Sequence, residues 1–188
     1  DVEIKKCKKA GKKVDFLVYP SYQKLQSQYA SYDAAIILEK ILLDIAPIHI
    51  LEVQKLVPPF YDRQKYTSVV DSNFQNDFNY IISRKGTLKK IGDYIIAVNQ
   101  PIKFRQTIES SSRRDFDNIH KEEIISGIVE LLTIVEIVRL DDFVSQFIEY
   151  CGFKKSSEDI RNRLMTILKT LQKQNKIIIK KDIVEIIK

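Results

Sequence analysis

Apolar positions along the chain recur with two periods, helical and extended, and the same order of elements occurs twice. After Tyr32, residues Ile36, Ile37, Ile41, Leu42 and Ile45 return every three or four positions, which is one face of a helix, with Asp33 placed to cap it. Pro47 ends that helix because it has no N–H to donate, and Ile48-His49-Ile50 reads as a short extended piece. Residues 51–57 form a second, shorter helix stopped by Pro58-Pro59. A polar loop, 61–66, leads to a third helix over 67–85, with Val69, Val70, Phe74, Phe78, Ile81 and Ile82 on its apolar side and Gly86 as its stop. Residues 87–98 read as two strands turned at Gly92-Asp93.

The second half repeats the order. Residues 122–134 are helical, with Ile124, Ile125, Ile128, Leu131 and Leu132 on the apolar side, and 136–139 are extended. A second helix, 141–151, stops at Gly152. Ser156 or Ser157 caps a third, which carries Glu158 and Asp159 in its first turn and Ile160, Leu164, Ile167, Leu168 and Leu171 as its stripe. Residues 176–179 and 182–187 close a hairpin around Lys180-Lys181. At an offset near 90, Ile48-His49-Ile50 falls on Val138-Arg139-Leu140, Val53 on Phe143, and Phe60 on Tyr150.

Helix, short strand, helix, helix and hairpin is the order of a winged helix, a helix-turn-helix extended by a β-ribbon. The expected class is therefore mainly α with small β-hairpins (α+β), built as two tandem winged-helix units over 32–99 and 121–188. A basic tail or arm, 1–31, carries Lys5, Lys6, Lys8, Lys9, Lys12 and Lys13 ahead of an extended piece over 15–19. Residues 100–120, with Ser110, Ser111, Ser112, Arg113 and Arg114, read as an exposed linker.

Composition narrows the function classes. No apolar run approaches the roughly 20 residues of a membrane-spanning helix, so no membrane partner is expected. Cys7 and Cys151 are far apart and make no ligand pair with the only histidines, His49 and His120, which points to a reducing, cytoplasmic setting without zinc or disulfides. The chain begins at Asp1 and Met165 is its only methionine, so it reads as a piece of a longer polypeptide. Neither a phosphate-cradling glycine loop nor a nucleophile–base set is spelled out, and no cofactor or catalytic role is expected. Asp115 and Asp117 are paired carboxylates without a histidine or third acid beside them, and His49 reads as structural.

The net charge of +6 is uneven. Residues 122–149 hold seven acids against Arg139 alone, an acidic face open to a protein partner. Beyond it, Lys154, Lys155, Arg161, Arg163, Lys169, Lys173, Lys176, Lys180 and Lys181 concentrate positive charge on the third helix and hairpin of the second unit. That is where a winged helix meets nucleic acid. The first unit offers Asn73, Gln75, Asn76 and Arg84 on its third helix and Lys89 and Lys90 in its hairpin. Asp71 and Asp77 on that helix would repel phosphates if they faced DNA, so this unit is expected to be mainly structural or to bind protein.

Several phrases carry a family resemblance. Asp44-Ile45-Ala46-Pro47-Ile48-His49, Lys89-Lys90-Ile91-Gly92-Asp93-Tyr94, Arg113-Arg114 with Ile119, Glu122-Glu123-Ile124 and Gly152-Phe153-Lys154-Lys155 with Ile160-Arg161 occur in order between Tyr32 and Ile179. Together they resemble an uncharacterised module near the C-terminus of very large bacterial superfamily I DNA helicases. The chain has Asp44 where that module has Glu, and Phe60-Tyr61 where it has Phe-Gly. The resemblance implies a non-catalytic accessory region whose partners are DNA, duplex or forked, and the rest of the parent helicase chain. The alternative expectation is a tandem winged-helix protein–protein adaptor, like the condensation subunit that grips a kleisin, without DNA binding.

Overall fold

The computed structural model describes residues 17–18, 34–106, 114–153 and 157–187. In chain order the elements are β1 (Leu17–Val18), α1 (Ala34–Ile45), β2 (Ile48–His49), α2 (Ile50–Leu56), α3 (Ser68–Lys85), β3 (Leu88–Ile91), β4 (Tyr94–Ala97) and β5 (Arg105–Gln106). Then follow α4 (Lys121–Val135), β6 (Ile137–Arg139), α5 (Leu140–Tyr150), α6 (Glu158–Lys173), β7 (Ile177–Lys180) and β8 (Ile183–Ile186). The chain is mainly helical with two small antiparallel three-stranded sheets, the expected class. It divides into two compact units: a first containing 34–102 and 114–120, and a second containing 17–18, 103–106 and 121–187.

In the first unit, the core gathers Leu38, Leu42, Ile45, Val53, Val70, Phe74, Phe78, Ile81, Leu88 and Ile95 from all three helices and the sheet. The stripe of α1 runs through Leu38, Ile41, Leu42 and Ile45, which leaves Ile36 on the solvent side, contrary to its expected place. Val69 of α3 is likewise exposed, because one helical step from Val70 turns it about 100° from the buried row 70, 74, 78 and 81. Helix ends form where the sequence supplies partners. Thr67 Oγ1 accepts the Val70 N–H at 3.4 Å, His49 Nδ1 accepts the Leu51 N–H at 3.1 Å, and Gly86 closes α3 at φ +60°.

The second unit follows the same plan. The strand order is β2-β4-β3 in the first unit and β6-β8-β7 in the second. Small details recur 89 or 90 positions on. Ser157 caps α6 through Ile160 as Thr67 caps α3. Ile50 N–H donates to Asp93 O at 2.8 Å, and Leu140 N–H to Asp182 O at 2.7 Å. Left-handed residues sit at Gly86 and Asn175 before the hairpins, and at Gly92 and Lys181 in their turns. Side-chain identity is scarcely shared between the units, so it is the backbone pattern that repeats.

The segment read as an exposed linker differs most from expectation. Phe104, Arg105, Arg114, Phe116 and Ile119 are all buried. Phe104 covers Gly127 of α4 so closely that a Cβ there would lie 2.6 Å from its ring, and it packs beside Phe147 at 5.6 Å between centroids. In the first unit, Glu52 is buried and its Oε1 accepts from Asn118 Nδ2 at 2.8 Å, the Asp115 N–H at 3.3 Å and Lys55 Nζ at 2.8 Å. Both ends of this stretch are thus packed into their units, because each brings an aromatic anchor that the units bury. Ser110 to Arg113, the basic tail and the Asp33 cap lie outside the described residues.

Candidate nucleic-acid interface

The cationic residues of the second unit hang on a buried stripe. Leu164, Ile167, Leu168 and Leu171 turn one side of α6 into the core. The opposite side then carries Asn162, Thr166, Lys169 and Lys173, all exposed. Gln172 Nε2 donates to Ile179 O at 3.2 Å and ties the end of α6 to β7. Lys176 precedes that strand, and Lys180 and Lys181 occupy its tip, again exposed. Lys169, Lys173, Lys176, Lys180 and Lys181 form no ion pair among the described residues. Lys169 and Lys173 also lie toward the C-terminal end of α6, where the helix dipole favours positive charge.

The two arginines behave differently. Arg161 Nη2 lies 3.1 Å from Asp141 Oδ1, so part of its charge is answered by α5, and Arg163 is half-buried. Lys154 and Lys155 lie outside the described residues. From β6, Arg139 Nη2 reaches Asp182 Oδ2 in the hairpin turn at 3.4 Å, an exposed pair that adds little stability. Five of the sequence-named lysines are thus exposed along α6 and on its hairpin, while Arg161 is paired with Asp141.

The acidic face of 122–149 loses one member. Glu123 is buried and paired with Arg105, while Glu122, Glu136, Asp141, Asp142 and Glu149 remain exposed. Glu130 is half-buried, and burial raises its carboxyl above the usual range against the opposing charge of Lys103.

In the first unit, Lys89 and Lys90 are exposed on β3. Asp71 and Asp77, named as a source of repulsion, accept from Tyr66 Oη at 2.6 Å and Tyr61 Oη at 2.8 Å. Burial first, then these bonds and the aspartate charges, push both tyrosines above the usual phenol range. Exposed positions of α3 include Ser72, Asn73, Asn76, Asn79, Tyr80 and Ser83, polar and uncharged, together with Val69. Asp115 Oδ1 accepts the Asp117 N–H at 3.3 Å, so this carboxylate closes a local turn.

Tyr94 of β4 is held edge-on by both histidines, at 5.0 Å from His49 and 4.8 Å from His120. Its hydroxyl donates to Asp117 O at 3.4 Å. No pattern in the sequence announced this arrangement, since the three rings come from separate segments. Among the described residues no helix is long and apolar enough to cross a membrane, and no three His, Cys, Asp or Glu side chains gather as metal ligands. No family model, curated protein or solved structure matches the chain.

Proposed function

We propose that the chain is a tandem winged-helix accessory module of a cytoplasmic bacterial DNA helicase, non-catalytic itself, that grips duplex or forked DNA through phosphates. The strand order and the two helix–strand–helix–helix–hairpin runs support the winged-helix reading. The observation that carries DNA binding is the set Lys169, Lys173, Lys176, Lys180 and Lys181, exposed and without ion partners among the described residues. A point charge on a flexible stem suits phosphate contact, with weak sequence preference. Arg161 contributes less than the sequence implied, because DNA must compete with Asp141.

The test is a fluorescence-anisotropy titration of a fork and a duplex at two salt concentrations. Engagement of all five lysines gives a log–log salt slope of about −4 to −5, and Lys180→Glu with Lys181→Glu flattens it and weakens binding to both DNAs. Unchanged affinity in that variant removes this surface from consideration. A protein adaptor is the second reading, favoured by the exposed acids Glu122, Asp142 and Glu149. A defined protein complex with no DNA binding at low salt selects it.

A further inference from the structure

The hairpin tips of the two units occupy the same place in the repeated plan and have opposite character. In the second unit the tip is Lys180-Lys181, with Asp141 at the second position of the helix packed beneath it. The first unit has Ile91-Gly92 at the tip and Leu51 in the place of Asp141. Ile91 is 51% exposed and Leu51 48% exposed. Neither belongs to the core, and Leu88, Ile95 and Ala97 supply the buried side of this hairpin.

The tip is tied to α2 and preceded by positive charge. A Cβ at Gly92 would meet nothing within 4 Å, so that side of the turn faces open space. The Ile50 N–H bonds Asp93 O at 2.8 Å, which fixes the start of α2, and with it Leu51, to the turn. Tyr94, directly opposite Ile91 in the register, is clamped between His49 and His120. Lys89 and Lys90 precede Ile91, exposed and without ion partners among the described residues.

Two exposed apolar side chains near exposed lysines are complementary to a nucleic-acid surface that presents both phosphate and a bare base face. A continuous duplex offers only the first, whereas a duplex end or a single-strand junction offers both. Isoleucine and leucine are among the side chains that proteins press against unstacked base steps, and lysines take the adjoining phosphates. We propose that the first unit's hairpin is an end-reading wedge: Ile91 and Leu51 pack against the terminal base pair of a duplex end or fork while Lys89 and Lys90 hold its backbone. This rests on the DNA-binding reading and specifies its substrate: a DNA with an open end or junction.

The experiment compares three DNAs of one sequence: a dumbbell duplex closed at both ends, the same duplex with one blunt end, and a fork. 2-Aminopurine at the terminal pair of the last two reports unstacking. The expected result is about tenfold tighter binding to the open end and fork than to the dumbbell, with a rise in 2-aminopurine emission. Leu51→Ser with Ile91→Ser removes the preference and the rise, and leaves dumbbell affinity unchanged. Ile91→Lys, which installs the second unit's residue, raises affinity for all three DNAs and abolishes the preference. Circular dichroism confirms that the variants fold.

Equal affinity for all three DNAs in the unaltered chain overturns the wedge and leaves the phosphate-binding reading standing. So does a serine variant that keeps the preference, or self-association in the ultracentrifuge that Ile91→Ser abolishes, which assigns the tip to a second copy of the chain. Binding to none of the three at low salt overturns both readings.

Discussion

Arg105 and Glu123 form an ion pair inside the second unit, with side chains only 3% and 0% exposed. Arg105 Nη2 meets Glu123 Oε2 at 2.9 Å, while its Nε and backbone N–H both donate to Oε1, at 3.0 and 3.2 Å. Three bonds on two carboxylate oxygens satisfy the charge that burial would otherwise leave costly.

Removing one partner should therefore hurt more than removing both. Arg105→Met alone leaves the Glu123 carboxylate buried and is expected to cost about 3–5 kcal/mol. Arg105→Met with Glu123→Leu should recover most of that. Urea unfolding followed by circular dichroism measures both, and equal losses in the single and double variants would contradict the account.

Alkaline pH should loosen the first unit. Tyr61 and Tyr66 hold their protons more tightly folded than unfolded, chiefly through burial and then through Asp77 and Asp71. The stability this confers is complete below the ordinary phenol range, near pH ~10, and is lost as pH rises beyond it. Tyr61→Phe with Tyr66→Phe has no such protons to lose. Its thermal midpoint should fall less steeply between pH 10 and 11.5, as a scan at fixed ionic strength will read. Parallel curves would remove these tyrosines from the explanation.

Lys181 occupies the left-handed region at φ +55° where the first unit uses Gly92 at φ +56°. A side chain there costs roughly 1–2 kcal/mol, offset in part by the extra freedom glycine has when unfolded. Lys181→Gly should hold or raise the melting temperature by a few degrees while lowering DNA affinity several-fold. A loss of stability with affinity intact would show that the lysine serves the fold.

Much of the architecture was readable from local pattern. Pro47, Gly86, Gly92, Gly152 and Ser157 each act within a few residues of themselves, through a missing N–H, a left-handed φ or a capping hydroxyl. Element types and order therefore followed from short stretches of sequence. So did the doubling at an offset near 90, because hydrophobic spacing survives where side-chain identity does not.

The candidate site was legible only as composition. The sequence showed lysines crowding the last third of the chain, and α6 periodicity placed Lys169 and Lys173 on one side. It did not show that Arg161 answers Asp141, twenty positions away, or that Glu123 is withdrawn from the acidic face by Arg105, eighteen away. Glu52 reaches Asn118 across sixty-six positions, and this contact helps pack a stretch that composition marks as linker.

Sequence by itself determined the type and order of the helices and hairpins in the two repeats, most of their apolar positions, and that the same order occurs twice, since these depend on neighbours within a turn or two. Tertiary structure alone decided which charges are paired inside the fold and which stay exposed, and that both ends of the segment between the repeats are packed into the units. Those outcomes depend on desolvation and on distances between groups far apart in the chain, which no local pattern encodes.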